Sequence, residues 1–434
     1  MSTRLPLLAL LTLVVAPASA VGEPADCGWV DYDLKTGVYG PKQYWGDTNN
    51  AYAGTVVPSG PNYVYRFKGK FPNSRYMSIE SSVFIDDGSV DQLGVAGQLQ
   101  DLDDAIDQTI VPDAGSTNPF VEGASYPGAD NYFTVDAVPE GVDWDSPNQF
   151  TIPADSGGSL KVVMISFRAI SPNKDVQIAK EDLPTVEALD LTGAKVDCNW
   201  GGPVRTPEFY GLVRDLIEQA PSPDAGIGFA DLLDVSEPSE LIDNLRIARA
   251  LLEVQYTTFE KWWPFRFHLV NIPFEGSAGI KGYLYGLTEM TPGNVAIIRF
   301  KAPSFLNTYS GEVKNFTSRT DVRFWSMCVT DFLGSIALAC MPDHMTQPDR
   351  FGYVTVVFGP DDGEVEAKAK SLGYAFMADR RVAEDWEGKA LAFIYRQVLP
   401  SPQFERFRLN RGAYVPTARV CSEGQFLRGS CSIP

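Results

Sequence analysis

The sequence predicts a mainly β (α+β) fold, in which two β-sandwich-like units follow one another and are joined by a helical insert. Short alternating runs broken by turn residues indicate strands, and helical spacing between the two halves indicates the insert. Recurrence of four short segments in the same order in both halves indicates a tandem duplication. The matched segments are 65–68 with 298–301, 74–78 with 322–326, 111–113 with 341–343, and 165–169 with 393–397.

Residues 1–20 predict an export signal. Arg4 gives a short positive start, and the apolar run from Leu5 to Ala16 is too short to span a bilayer. Ala18-Ser19-Ala20 fits a cleavage site, so the mature chain is expected to start at Val21. A buried strand or helix is the alternative interpretation. We expect a secreted or periplasmic protein without a membrane span.

The first β-sandwich-like unit is expected over residues 21–200. After an irregular start rich in Gly, Pro, Asn and Tyr, Tyr132-Phe133-Thr134-Val135 and the run from Leu160 to Ile165 have the β-branched and aromatic content of strands. Asp86-Asp87-Gly88 predicts a turn.

The helical insert is expected over residues 201–264. Thr206 suits an N-cap and Pro207 the first helical position, and apolar residues follow at helical spacing. Ser236 with Pro238 predicts a second helix that ends near Tyr256. We expect these helices to pack on the sheets and not to form a catalytic domain.

The second β-sandwich-like unit is expected over residues 265–434. Phe265, Phe267 and Leu269 alternate with Arg266 and His268, which is typical of a strand with one apolar face. The tail from 399 to 434 is rich in turn residues and is expected to be held by a cysteine pair.

Composition narrows the choice of partners. An apolar fraction of 44% suffices for substantial cores, and the net charge of -19 becomes -20 when Arg4 leaves with the signal. Nucleic acid and anionic membranes are polyanions, so this charge disfavours both. A small-molecule or polymeric ligand is the expected partner.

Six cysteines in an exported chain favour disulfides over free thiols. The two short separations suggest Cys328–Cys340 and Cys421–Cys431, which leaves Cys27 to pair with Cys198. Zinc is the rival interpretation, but no C-x-x-C occurs and the chain has two histidines. We therefore expect no metal site.

Arg168 and Arg396 lie in matched apolar strands, where an unpaired guanidinium would be costly. They are either ligand-binding residues that face a pocket or structural residues, each holding a carboxylate of its own unit such as Asp113 or Asp343. Arg75 and Arg323 share this logic. Aromatic neighbours such as Trp325 could form a ligand platform with them, or the segments could be strands with one wet and one dry face.

Chemistry by histidine would have to use His268 or His344, the two histidines of the chain. His344 follows Asp343 in the second copy, whereas Ala114 follows Asp113 in the first, so His344 with Asp343 is the first catalytic candidate and His268 the second. A surface or satisfied histidine is the alternative for each. The motif G-x-S-x-G does not occur, although a geometric triad needs none.

Acidic residues cluster in two runs, which are candidate carboxylate pairs for glycoside hydrolysis or, more commonly, solvated loops. They are Asp103, Asp104 and Asp107 in the first, and Asp361, Asp362 and Glu364 in the second. Asp86-Asp87 and Asp361-Asp362 are candidates for weak Ca²⁺ binding, without EF-hand spacing. No nucleotide-binding or haem motif occurs, so no cofactor is expected.

Several segments of the second half resemble a group of uncharacterised exported bacterial proteins. They are the run from Val322 to Cys328, Cys340-Met341-Pro342-Asp343, Tyr395-Arg396 and Leu399-Pro400-Ser401-Pro402. The group shares an R-Y-W-S-x-C motif, in which this chain has Phe324 at the tyrosine position. The first half is more distantly similar to the DUF1214-type β-sandwich domain found beside DUF1254 domains. The resemblance implies an exported β-rich fold and no particular activity.

Two functions are compatible with these observations. The first is a binding protein that holds a ligand in a groove between the duplicated units, which duplication, abundant aromatic residues and few histidines favour. The second is a secreted hydrolase or lyase that acts on a polymer through carboxylates and His344. A cleft that gathers a histidine with two carboxylates would favour the enzyme.

Overall fold

In the computed structural model the chain forms four β-sheets within its described part, which confirms a mainly β fold. The described residues are 27–29, 31–33, 47–58, 62–90, 96–124, 131–154, 162–172, 178–198, 267–269, 283–309, 319–331, 336–381, 390–409 and 412–431. The predicted export signal and helical insert lie outside these residues.

The first unit contains two five-stranded sheets. Sheet I has the order β1-β2-β8-β4-β5 and sheet II the order β10-β9-β3-β6-β7. The strands of sheet I are β1 (Asp31–Asp33), β2 (Ala51–Pro58), β8 (Val162–Pro172), β4 (Ser74–Val90) and β5 (Ala96–Ile106). Those of sheet II are β10 (Lys195–Val196), β9 (Thr185–Asp190), β3 (Tyr63–Lys70), β6 (Tyr132–Pro139) and β7 (Gln149–Ile152). Alternate side chains of both sheets form one core, including Phe67, Phe133 and Phe167.

The second unit contains sheet III, with the order β11-β12-β18-β14-β15, and sheet IV, with the order β17-β16-β13-β19. The strands of sheet III are β11 (Phe267–Leu269), β12 (Leu284–Glu289), β18 (Ala390–Val398), β14 (Phe324–Asp331) and β15 (Ile336–Pro342). Those of sheet IV are β17 (Ala375–Asp379), β16 (Tyr353–Pro360), β13 (Asn294–Lys301) and β19 (Thr417–Ser422). Trp325, Phe358 and Tyr395 belong to the core between these sheets.

Three helices complete the described part of the second unit: α1 (Glu364–Ser371), α2 (Pro402–Leu409) and α3 (Glu423–Leu427). Asp362 accepts hydrogen bonds from the backbone N–H groups of Glu364 and Val365, which satisfies two donors in the first turn of α1. Val365 of α1 and Phe426 of α3 pack on the apolar residues of sheet IV that face away from the core. No described helix is both long enough and apolar enough to cross a bilayer.

Strand order demonstrates that the two units repeat one topology. Sheets I and III have the same order once ten is added to each strand number of the first unit. The order β9-β3-β6-β7 of sheet II likewise corresponds to β19-β13-β16-β17 of sheet IV. In both sheets the edge strand pairs in parallel with its neighbour: β7 with β6 in sheet II, and β17 with β16 in sheet IV. The duplication predicted from short sequence matches is therefore present in the fold.

Strand register tests the matches residue by residue. Ser78 lies opposite Arg168 and Ser326 opposite Arg396, so the two arginines occupy equivalent positions, as predicted. The match of Asp113 with Asp343 is wrong. Ser78 also lies opposite Ile106 and Ser326 opposite Pro342, so the residue equivalent to Asp343 is Asp107. Both open a 3-10 turn, Asp107–Thr109 and Asp343–Met345.

The three predicted disulfides are present: Cys27–Cys198, Cys328–Cys340 and Cys421–Cys431. The first brackets the first unit, since its cysteines are 171 residues apart. The second joins directly opposed residues of β14 and β15. The third holds the end of the chain beside α3 and β19, as expected for the tail.

Candidate functional site at the junction of the two units

A buried ion pair connects the start of β4 with the second unit. The Arg75 guanidinium donates to the Asp343 carboxylate, and both side chains are completely buried. Arg75 also donates to the carbonyl oxygens of Leu306 at 3.0 Å and of Arg323 at 2.9 Å. Its charge is therefore matched by a carboxylate and two carbonyl dipoles, as a buried guanidinium requires.

The equivalent residues form a second ion pair in the opposite direction. Arg323, just before β14, donates to both oxygens of Asp107 at 2.8 and 2.7 Å, and to Gln108 at 3.2 Å. The arginine of the first unit thus contacts the aspartate of the second unit, and the arginine of the second unit contacts the aspartate of the first. Reciprocal contacts of this kind define a two-fold, self-complementary interface, here between two units of one chain.

Each aspartate also accepts a hydrogen bond from its own unit. Asp107 accepts from the backbone N–H of Met77 at 3.1 Å, and Asp343 from that of Trp325 at 3.2 Å. Met77 and Trp325 are equivalent, two residues after the respective arginines. The four charged residues therefore fix the starts of β4 and β14 against each other.

Beyond these ion pairs, sheets I and III turn their outer faces toward each other. At one end, Tyr76 and Ile170 of sheet I pack with Phe324 and Val398 of sheet III in an apolar cluster. Side chains alternate along a strand, so the next residues on this face are the equivalent pairs Tyr52 with Arg168 and Tyr283 with Arg396. We call these four residues and the buried Asp47 beside them the junction cluster.

Arg168 and Arg396 differ in the source of the carboxylate beside them. Arg168 contacts Glu80 at 2.9 Å, and Glu80 is held by Ser78 at 2.5 Å on the same strand. The position equivalent to Glu80 is Cys328, because β4 and β14 share their register with β8 and β18. The carboxylate that raises the pKa of Arg396 belongs instead to Asp47, in the other unit.

Arg396 lies among tyrosines. Its guanidinium is 5.3 Å from the centre of the Tyr283 ring, within the range of a cation–π contact. Burial alone would lower the pKa of Arg396, but Tyr283, Asp47 and Tyr52 outweigh it and raise that pKa. Burial, reinforced by Asp47, raises the pKa of Tyr52, which both arginines oppose. Tyr52 is therefore within electrostatic reach of an arginine from each unit.

The turn Asp47–Asn50 covers this part of sheet III. Asp47 Oδ1 accepts from the backbone and side-chain nitrogens of Asn49 at 2.9 and 3.0 Å. The Thr48 N–H donates to Cys340 Sγ at 3.3 Å, and Asn49 Nδ2 donates to the Cys340 carbonyl at 3.4 Å. A turn of the first unit is thus bonded to the Cys328–Cys340 disulfide of the second.

The predicted ligand contacts therefore lie in three different settings. Arg168 and Arg396 meet in the junction cluster, whereas Arg75 and Arg323 are engaged by Asp343 and Asp107. Trp325 is completely buried and packs edge-on against Phe300, 5.2 Å away, in the second core. Trp325 is therefore not placed to contact a ligand, because its side chain lies on the core-facing side of β14.

The catalytic candidate Asp343 is already engaged in the ion pair with Arg75. His344 Nδ1 is 3.5 Å from Asp343 Oδ1, and its ring stacks on Tyr309 with centres 3.8 Å apart. The equivalent residue of the first unit is Gln108, which contacts Arg323. His268 lies on β11 opposite Tyr285. His268 is on β11 and His344 is in the turn that directly follows β15, at opposite edges of sheet III, and a catalytic role for either stays a prediction.

Sequence reasoning missed Asp47, Tyr52 and the role of Asp107. Asp107 sits in an acidic run that resembles a solvated loop, yet its side chain is fully buried. Spacing gave no signal for the equivalence, because Asp107 lies 29 residues after Ser78 whereas Asp343 lies 17 residues after Ser326. Different lengths of the hairpins conceal this equivalence, and the chance resemblance of Val111-Pro112-Asp113 to Met341-Pro342-Asp343 competes with it.

Comparison with known proteins identifies no family. No protein-family model matches the chain, and no curated protein matches it. Among solved structures, a putative uncharacterized protein from Burkholderia cenocepacia is 12% identical, with a TM-score of 0.47 over 94% of this chain and 84% of that one. The VPA0106 protein from Vibrio parahaemolyticus is 10% identical, with a TM-score of 0.39 over 87% and 90%.

Proposed function

We propose that this is an exported binding protein that holds a carboxylate-bearing ligand at Arg396, between the two β units. The observation that carries the proposal is the junction cluster, which gathers two arginines and tyrosines of both units on facing sheets. Three disulfides are compatible with a secreted or periplasmic location.

Arg396 suits a ligand better than Arg168 does. Glu80, on the adjacent strand β4, contacts Arg168 directly, and the pairing of β4 with β8 holds its backbone beside that arginine. Asp47, by contrast, acts electrostatically on Arg396 from the turn Asp47–Asn50, which lies just before β2. Displacement of one short turn would exchange an internal carboxylate for that of a ligand.

Tyrosines supply the other half of the binding surface. Tyr283 already stacks near the guanidinium, and Tyr52 contributes a hydroxyl that accepts from the Asp47 N–H at 3.0 Å. Aromatic rings and a guanidinium together recognise a planar or ring-bearing carboxylate, because the rings pack on its apolar faces while the fork donates to its oxygens. A uronic acid or an aromatic acid has this chemistry.

Thermal unfolding of the oxidised mature protein tests the proposal. The screen contains aromatic acids, uronic-acid oligosaccharides and their uncharged counterparts. A ligand at about 100 times its Kd adds about 2.7 kcal/mol of stability, which raises the Tm measurably. We expect a carboxylate to raise the Tm and its uncharged counterpart to leave it unchanged.

Variants then locate the site. Arg396→Met should abolish the ligand-induced rise in Tm, whereas the matched control Arg168→Met should retain it. Asp47→Asn should increase affinity, because it removes the internal carboxylate that competes for Arg396. A response that survives Arg396→Met, or an exclusive response to uncharged sugars, would refute a carboxylate at this arginine.

A further inference from the structure

We propose that the Cys328–Cys340 disulfide masks a metal site, which reduction of the disulfide opens to Zn²⁺ or a similar thiophilic divalent ion. Asp47 would be the third protein ligand. Its carboxylate oxygen and the two sulfur atoms all lie within 4.8 Å of one another, and all three residues are buried. This inference does not depend on the proposed ligand, since it concerns the reduced protein.

Asp47 provides the observation that points to an ion. Its side chain is completely buried, yet Oδ2 has no hydrogen-bond partner among the residues that the structure describes. Oδ1 is occupied by Asn49, so Oδ2 is the oxygen left available. A buried carboxylate oxygen without a donor is costly, and a cation bound beside it would remove that cost.

Distances after reduction suit a tetrahedral ion. Zn–S bonds of about 2.3 Å and Zn–O bonds of about 2.0–2.2 Å place neighbouring ligand atoms roughly 3.5–4 Å apart. The sulfurs come from directly opposed strand residues whose Cα atoms are 4.0 Å apart, so separation to this distance needs side-chain rotation and no strand shift. A water molecule can occupy the fourth position.

Charge also balances. Two thiolates and one carboxylate carry three negative charges, which a divalent ion and the Arg396 guanidinium would neutralise. Asp47 already acts electrostatically on Arg396. The Thr48 N–H, 3.3 Å from Cys340 Sγ, is placed to donate to a metal-bound thiolate and so to orient that ligand.

The first unit lacks this chemistry at the same place. Its residues equivalent to Cys328 and Cys340 are Glu80 and Asp104, which lie opposite each other on β4 and β5. Glu80 is engaged by Arg168. The proposed site is therefore a property of the second unit, where the two copies differ.

The reaction needs a two-electron reductant, such as a dithiol or a phosphine. With a dithiol, two electrons and two protons pass from the reductant to the disulfide, so that its sulfur–sulfur bond breaks, Cys328 and Cys340 become thiols, and the reductant becomes a disulfide. The divalent ion then replaces both thiol protons, which leave to solvent, and it bonds to two sulfurs and to Asp47. Because the cysteines are buried, the turn Asp47–Asn50 must move aside during reduction.

Cobalt, a spectroscopic substitute for zinc, provides the test. The mature protein is reduced with a phosphine and titrated with Co²⁺, while thiolate-to-cobalt absorption, the mass of the native complex and near-ultraviolet circular dichroism are recorded. We expect one Co²⁺ per reduced chain with a thiolate absorption band, and no such band in the oxidised protein. Should reduction loosen the fold, Co²⁺ should restore the near-ultraviolet signal.

Two variants define the ligands. Asp47→Asn keeps the oxygen that Asn49 needs and should weaken Co²⁺ binding by at least about tenfold. The double variant Cys421→Ser with Cys431→Ser removes the other short-loop disulfide and should bind Co²⁺ as the wild type does. Absence of the band in reduced wild type, its presence with Cys328→Ser, or equal affinity in Asp47→Asn would overturn the site.

Discussion

Replacing Arg75 with methionine should destabilise the protein more than almost any other single substitution of a charged residue. Methionine retains part of the apolar stem but leaves the Asp343 carboxylate buried without its cation. Removing one partner of a buried ion pair costs about 3–5 kcal/mol. The carbonyls of Leu306 and Arg323 lose a donor as well, so we expect a cost near the upper end, about 5 kcal/mol.

Arg323→Met is the internal comparison. The Arg323 side chain is 12% exposed, whereas that of Arg75 is completely buried. Solvent can therefore replace part of the lost interaction, and the expected cost falls toward about 3 kcal/mol. Lys370→Met is the surface control, because the exposed Lys370–Glu366 pair on α1 is worth under about 0.5 kcal/mol.

Urea unfolding of the oxidised protein measures these costs. Circular dichroism reports both units, and tryptophan fluorescence reports the local surroundings of each tryptophan. Because the Arg75–Asp343 pair joins the two units, its loss should also let them unfold in separate steps, so that the two signals no longer coincide. A loss below about 1 kcal/mol for Arg75→Met, similar to a surface substitution, would refute the assignment of a structural ion pair.

Three further predictions follow from other parts of the molecule. Replacing Cys27 and Cys198 by serine should cost about 5 kcal/mol and replacing Cys421 and Cys431 about 3, because their separations of 171 and 10 residues close loops of very different size; equal urea midpoints would contradict this. Hydrogen bonds from Tyr353 and Phe351, with Arg299 nearby, lower the pKa of Asp349, so its contribution is present above the unfolded value and disappears as the pH falls through the folded value. Asp349→Asn should therefore be less stable than wild type near pH 7, and the difference should vanish in strong acid; a difference that grows with acidity would show that the sign is wrong. His344→Gln, which installs the residue of the first unit, should leave the Tm nearly unchanged, and any turnover that it abolishes would establish histidine catalysis.

Much of the architecture could be predicted because it is encoded locally. Alternation of apolar and polar residues indicates a strand wherever one of its faces is buried. The segments from Arg75 to Ser78 and from Arg323 to Ser326 align because an arginine recurs at the start of each strand. Cysteine pairing followed from the short separations. Each of these signals lies within a few neighbouring residues.

The junction could not be predicted because its partners are distant in sequence. Arg75 and Asp343 are 268 residues apart, and Arg323 and Asp107 are 216 apart. The reciprocal exchange depends on how two finished units dock, which no strand pattern encodes. Reasoning within each unit led to Asp113 and Asp343 as partners of Arg168 and Arg396, whereas Asp343 belongs to the other unit's Arg75.

Trp325 illustrates a second limit. A tryptophan beside arginine is equally typical of a ligand platform and of a strand with one solvent-exposed and one core-facing side. The direction of the side chain decides between these two interpretations. Register places Trp325 with Met327 on the core face and Ser326 on the junction face. That assignment follows from pairing with β18, which the local sequence does not specify.

Coupling energies among the four junction charges test the reciprocal arrangement most directly. Double-mutant cycles, with each arginine changed to Met and each aspartate to Asn, separate the pairwise terms from the single losses. The structure predicts coupling of about 1–3 kcal/mol for Arg75 with Asp343 and for Arg323 with Asp107, and a much smaller value for Arg75 with Asp107 and Arg323 with Asp343. Larger coupling within each unit than between the units would contradict the duplicated, reciprocally tied architecture.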